Sequence, residues 1–365
     1  MLCQLSRAFN THPQPLISSM VKQITLLTLL LLFFIVTEVE GAKKSYGVYS
    51  NKNSIVKKLF VFGDSYVDTG NFVNSGSYKP PSGITFPGKP AGRFCDGRVL
   101  TDYVASYLKI ENPTPYTLRN SSKLQHGINF AYGGTGIFNT LVDGPNMTLQ
   151  IDSLEKLIQQ KVYTKPDLES SIALLSAAGN DYAAFLVKNK TILEIKSFTE
   201  SLIKQLTLNL KRVQSLGIGK VAVGLLQPVG CLPGLTVVSF HLSCIDPLNL
   251  VSKTHNQMLL QTVQELNKEM GKPVFITLDL YNSFLTTIKT MQKKHAENST
   301  LMNPLQPCCE GINFKSCGSV NDKGEKQYKL CKKPEFSLFW DNVHPSQNGW
   351  HAVSMLLQPS LDQLI

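Results

Sequence analysis

The sequence predicts an α/β fold built on a mostly parallel, five-stranded sheet with helices on both faces. Two observations lead there: short apolar runs have the length and flanks of buried strands, and longer segments of helical period lie between them. A third is size, since 365 residues at 42% apolar content supply a sizeable core. The strand candidates, in order, are Leu59–Phe62, Gly127–Tyr132, Ile172–Ser176, Val221–Leu226 and Val274–Leu278. Between them, Val99–Leu108, Leu149–Lys161, Ile192–Leu216 and Leu248–Met270 repeat apolar residues at three- and four-residue steps, as amphipathic helices do. Ser346–Ile365 reads as a closing helix. In a sheet of this kind, function gathers in the loops beyond the carboxyl ends of the strands.

The ends of the chain carry other information. Ile24–Val36 is an unbroken apolar and threonine run preceded by Lys22 and followed by a stretch ending Glu40-Gly41-Ala42, so residues 1–41 read as a signal peptide. Its 13 residues fall short of the roughly 20 that span a bilayer. Met20 sits where a signal peptide would start, which makes residues 1–19 either an upstream extension or a misassigned start. Residues 42–57 form a polar, flexible lead-in and residues 58–365 a single domain. A secreted, extracellular protein without a transmembrane segment is expected.

Composition narrows the partners. The formal charge is +10, but Lys and Arg occur singly or in pairs such as Lys57-Lys58 and Lys332-Lys333. A nucleic-acid groove needs clustering, so no nucleic-acid partner is expected. After loss of Cys3 with the leader, Cys231 and Cys244 remain as a close pair and Cys308, Cys309, Cys317 and Cys331 as a cluster. None has metal-type C-x-x-C spacing, and in an exported chain they read as disulfides with open connectivity in the cluster. Cys95 is left as a free thiol. Asn120, Asn146, Asn189 and Asn298 head Asn-X-Ser/Thr triplets and are candidate glycan acceptors.

Candidate chemistry begins where the first strand runs into Gly63-Asp64-Ser65-Tyr66-Val67-Asp68-Thr69-Gly70-Asn71. Gly63 permits a sharp turn, and a helix beginning beyond it would aim unpaired N–H groups at an oxyanion near Ser65. Far along the chain, Asp341 and His344 stand three residues apart before Pro345. A serine hydroxyl needs a base to take its proton, and the base needs a carboxylate to fix its tautomer. The spacing lets Asp341 serve His344 from one loop, whereas His126, His241, His255, His295 and His351 have no acid so placed and read as structural. Two further segments end strands with oxyanion donors: Asn129-Phe130-Ala131-Tyr132-Gly133-Gly134-Thr135-Gly136, which lacks the Lys-Ser/Thr of a phosphate loop, and Ala177-Ala178-Gly179-Asn180-Asp181 with Asn180 at its tip.

Taken in order, these segments resemble the plant GDSL lipase/esterase family of the SGNH hydrolase superfamily, and the resemblance covers essentially residues 58–365. It is carried by Phe62-Gly63-Asp64-Ser65 with Asp68-Thr69-Gly70-Asn71, by Asn129-Phe130-Ala131 with Gly133-Gly134, by Gly179-Asn180-Asp181, and by Asp341-x-x-His344-Pro345. Gly92-Arg93-Phe94, Gln227-Pro228-Val229-Gly230-Cys231-Leu232-Pro233 and Cys308-Cys309 are similar as well. The resemblance implies a three-layer α/β/α, flavodoxin-like sandwich with a shallow, open site. It implies Ser65 as nucleophile, His344 as base and Asp341 as orienter, with an oxyanion hole of Ser65 N–H, Gly134 N–H and the Asn180 amide; Gly133 replaces Gly134 if the alignment slips by one. Tyr66, Ala178 and Cys95-Asp96 depart from the usual pattern without removing a catalytic group. The Gly-x-Ser-x-Gly elbow of α/β-hydrolases is absent. The expected activity is carboxylic ester hydrolysis by a monomer with no cofactor and no metal, on a small-molecule, lipid or polysaccharide ester. Acyl transfer to another acceptor and non-catalytic binding are the rivals. Ser75–Pro90 is a candidate cleft wall.

Overall fold

Alternate residues of the first strand feed two separate cores. In β1 (Lys58–Gly63) the side chains of Leu59 and Val61 join one apolar cluster and those of Phe60 and Phe62 another, as the two-residue period of a strand requires. The computed structural model describes residues 56–120, 122–188, 192–298, 302–313 and 315–365. These lie in one compact unit spanning Asn53–Ile365. The signal peptide and nearly all of the lead-in fall outside the described residues.

Six strands make the sheet: β1, β2 (Thr114–Pro115), β3 (Ile128–Asn129), β4 (Ser171–Ser176), β5 (Lys220–Gly224) and β6 (Phe275–Leu278). Their spatial order is β2-β3-β1-β4-β5-β6, and every pairing is parallel. Helices α1 (Leu100–Tyr107), α2 (Met147–Gln159), α3 (Lys165–Glu169), α4 (Gly179–Val187), α5 (Ile195–Ser215), α6 (Pro233–Thr236), α7 (Asp246–Met270), α8 (Leu280–Glu297), α9 (Gln347–Leu356) and α10 (Gln358–Leu361) complete the order, with a hairpin of β7 (Cys309–Gly311) and β8 (Tyr328–Leu330) between α8 and α9. Leu100, Phe284 and Trp350 bring α1, α8 and α9 onto one face, while Ile151, Leu206 and Leu259 bring α2, α5 and α7 onto the other. This is the expected three-layer α/β/α sandwich.

The expectations differ from this in several places. The sheet has a sixth strand, because two residues at its edge pair beside β3. The second expected strand, Gly127–Tyr132, is laddered only over Ile128–Asn129. α8 was not expected, although Leu280, Tyr281, Phe284 and Ile288 recur at helical steps behind an Asp279 N-cap. The closing helix is broken into α9, α10 and a final 3-10 turn. Pro359 sits in the first turn of α10, where its missing N–H is tolerated and the preceding helix is not continued.

After β1 the chain builds to one side of the sheet (β2, β3) before crossing to β4 on the other. That reversal opens a crevice at the carboxyl ends of β3, β1 and β4. Asp68 locks its floor: Oδ1 accepts from Gly70 N–H (2.8 Å) and Asn71 N–H (2.7 Å), and Oδ2 from Gly133 N–H (2.9 Å) and Phe72 N–H (3.3 Å). Asn71 Nδ2 in turn donates to Asn129 O and Ala131 O, both at 2.8 Å, so the loops beyond β1 and β3 are one hydrogen-bonded body. Asp68→Ala would strand several buried donors at once, and a loss of about 3 kcal/mol or more is expected in urea unfolding. A change below about 0.5 kcal/mol would show that water replaces the carboxylate there.

Candidate active site

Ser65 stands just past β1 and is almost buried. Gly63 has φ +143°, and a Cβ on it would lie 1.9 Å from Ser176 O, so only glycine lets β1 end this close to β4. Gln150 of α2 clamps the same residue: Oε1 accepts from Gly63 N–H at 2.7 Å and Nε2 donates to Gly63 O at 2.9 Å. The helix conditionally expected beyond Ser65 is a single turn instead, closed by Asp68 N–H on Asp64 O at 2.9 Å. The chain directly after Ser65 therefore supplies no helix N-terminus to it.

The loop bearing Asp341 and His344 is held from three directions. Trp340 N–H donates to His344 O (2.8 Å) and Ser346 N–H to Leu338 O (2.9 Å), pinching the loop at its base. Cys308 N–H donates to Phe339 O (3.0 Å) and Cys309 N–H to Trp340 O (2.6 Å). Both cysteines are themselves bridged, Cys308 to Cys331 and Cys309 to Cys317, which closes the connectivity left open by spacing; Cys231 pairs with Cys244 as expected. Tyr66 supplies the third anchor, its hydroxyl donating to Val343 O at 2.9 Å and its ring packing edge-on against Trp350.

This scaffold brings residues 279 positions apart into contact: His344 Nε2 lies 2.8 Å from Ser65 Oγ. The other ring nitrogen, Nδ1, lies 2.9 and 3.0 Å from the two Asp341 oxygens. Asp341 Oδ1 also accepts from Val343 N–H (2.9 Å) and His344 N–H (2.8 Å). Burial pulls against ionisation of Asp341, but the imidazole and these N–H groups outweigh it and hold the carboxyl below its usual range. For His344, burial pushes the pKa down, while the Asp341 charge and hydrogen bond, with a smaller contribution from Asp64, carry it above the ordinary imidazole value.

Asn180 shares the lining of one cavity with Ser65. Among the described residues no acceptor takes Ser65 N–H or Gly134 N–H. Gly133 N–H is already committed to Asp68, which leaves Gly134, at φ +80°, as the glycine with a donor to spare. Asn180 lies in the first turn of α4, preceded by Ala178 in the left-handed region at φ 104°. A non-glycine residue held there is strained, and Asp181 braces the turn by accepting from Ile137 N–H (3.0 Å) and Phe138 N–H (2.8 Å). One Asn180 amide hydrogen meets Thr135 O at 3.0 Å; the other is aimed at Asp64 Oδ2 across 3.5 Å, too long to hold it. Asp64 itself, whose carboxyl burial pushes up to about 7, shares this corner with His344.

An apolar cavity of about 420 Å³ opens on Asp64, Ser65 and Asn180 and runs between α4 and the Val229–Val251 stretch. Leu186, Val187, Ile195, Leu232, Leu235 and Val251 wall it, a set that periodicity assigned only to helix faces and loops. Ser75–Pro90 contributes no residue to this wall. Cys95 is a buried thiol whose pKa burial raises further, a structural group rather than a nucleophile. His255 is buried against the Tyr182 hydroxyl at 3.0 Å and held neutral, its pKa pushed down to about 3. Asn120 and Asn298 are exposed, Asn146 caps α2 through its side chain, and Asn189 lies outside the described residues. Among the described residues no helix is long and apolar enough to cross a membrane.

Comparison with known proteins places these features in context. The family model described as GDSL-like lipase/acylhydrolase matches residues 59–357. A GDSL esterase/lipase of Arabidopsis thaliana is 45% identical over 338 residues, covering 91% of this chain and 93% of that protein. A second from the same plant is 43% identical over 330 residues, covering 88% and 93%. Among solved structures, an acetylxylan esterase from Geobacillus stearothermophilus aligns with a TM-score of 0.42 at 16% identity, over 84% of this chain and 94% of its own.

Proposed function

We propose that this chain, which belongs to the GDSL-like lipase/acylhydrolase family and is a carboxylic ester hydrolase, works by two-step acyl transfer through Ser65, His344 and Asp341. The contact that carries this reading is the 2.8 Å approach of His344 Nε2 to Ser65 Oγ, with Nδ1 held on the Asp341 carboxylate. With Nδ1 donating to Asp341, Nε2 is the basic nitrogen and faces the hydroxyl. His344 takes the serine proton as Oγ adds to the ester carbonyl, then gives it to the departing alkoxide, leaving an acyl-serine. Water repeats the sequence and releases the acid.

The developing oxyanion rests on Ser65 N–H, Gly134 N–H and the Asn180 amide. Asn180→Ala tests this without touching the triad. It should lower kcat by about 10²–10³-fold with little change in KM, the effect of one lost oxyanion donor. A fall confined to KM would assign Asn180 to substrate binding alone.

The same reading extends to the rest of the chain. Residues 58–365 act as one hydrolase domain, exported after loss of residues 1–41; the apolar leader and three disulfides support this. Asn120 and Asn298 are the acceptors a glycosylating compartment would reach.

A further inference from the structure

We propose that the rim of the Ser65 cavity docks on a lipid surface, from which the cavity draws its ester substrate. The proposal rests on Ser65 being the nucleophile and adds where its substrate resides. Leu186 and Val187 line the cavity on one side and Leu235 on the other, yet all three are exposed, so they mark its mouth. Their neighbours extend the apolar surface outward. Leu193, two residues before the lining residue Ile195, is 89% exposed; beyond Leu235, Val238 is 74% and Phe240 81% exposed. Scattered apolar side chains on a surface are ordinary, but exposed ones that line a cavity and continue along the chain beside its lining residues mark an interaction site.

The segment carrying Phe240 is braced outward. Phe240 and His241 both adopt left-handed backbone, φ 54° and 59°, a conformation unfavourable for residues that carry a side chain. His241 N–H donates to Thr236 O (2.9 Å), its Nδ1 meets Thr236 Oγ1 (2.9 Å), and Asn303 Nδ2 donates to its carbonyl (2.8 Å). The Cys231–Cys244 disulfide closes the whole segment. The Phe240 ring is thereby kept in water, five residues beyond the lining residue Leu235.

What covers the rim follows from its continuity with the cavity. A protein partner or second copy seated there would stop the mouth through which substrate must reach Ser65. A lipid surface instead covers the rim and supplies an ester whose apolar chain passes along Leu235 and Val251 without re-entering water.

Val238→Ser with Phe240→Ser provides the test, since neither residue lines the cavity or touches the triad. The parent protein should sediment with phosphatidylcholine vesicles and hydrolyse emulsified trioctanoin. The double variant should lose sedimentation and about tenfold or more of the emulsion rate, while its rate on dissolved p-nitrophenyl acetate stays within about twofold. Phe240→Trp should retain all three. Unchanged emulsion activity in the double variant, or a parent that stays off the vesicles, would overturn the proposal. So would a parent dimer that the substitutions dissociate, which would make the rim a contact between copies. A parent inactive on dissolved ester would count against Ser65 chemistry instead, and vesicle sedimentation would still decide the docking.

Discussion

Ser65→Ala is expected to lower kcat/KM for p-nitrophenyl acetate by about 10⁴–10⁶-fold, the range for deleting a serine nucleophile. The size follows from the role. Without Oγ no acyl-serine forms, and the residual rate comes from water attacking an ester polarised by the remaining donors. The fold should be unaffected, since among the described residues the Ser65 side chain bonds only to His344 and the turn is held by backbone and by Asp68. Thermal midpoint and circular dichroism should match the parent. Equal rates in variant and parent would assign the hydrolysis to another group and leave this site as a binding pocket.

Asp341→Asn carries the second large effect, a drop in kcat of about 10⁴-fold, because an amide no longer selects the tautomer that presents a basic Nε2 to Ser65. Its pH signature is separate from its size. In the proposed mechanism hydrolysis needs neutral His344, so the parent rate is expected to rise with pH until the imidazole is deprotonated. The Asp341 charge holds that point above the ordinary imidazole value. Removing the charge leaves burial opposed only by the smaller contribution of Asp64, and the ascending limb of the kcat/KM profile should move to lower pH while the plateau collapses. A limb that stays put, or moves up, would mean that another group sets the acid side of the profile.

How much of this could be read from residues alone depends on how locally each feature is encoded. The strands flanking the site were legible because Leu59–Phe62 and Ile172–Ser176 are buried on both faces and therefore apolar throughout. The Asp341-x-x-His344 pairing was legible because both members lie on one loop, where spacing nearly fixes geometry. The two-residue strand Thr114–Pro115 carried no signal of its own; it exists because β3 offers an edge. The choice between Gly133 and Gly134 needed the Asp68 carboxylate, 65 positions away, which occupies one of the two donors. Gln150 was invisible for the same reason: its amide serves Gly63 from a helix whose period says only that the position faces inward. Four clustered cysteines allow three pairings, and only the hairpin against Phe339 and Trp340 selects one.

The catalytic account is tested most directly by a fluorophosphonate probe, which phosphonylates a serine only where a base activates it and an oxyanion site accepts the adduct. Peptide mapping of the labelled, inactivated protein should find one adduct per chain, on Ser65, forming more slowly as pH falls below the His344 transition. Inactivation with the adduct on any other residue, or full activity after Ser65 is labelled, would contradict it.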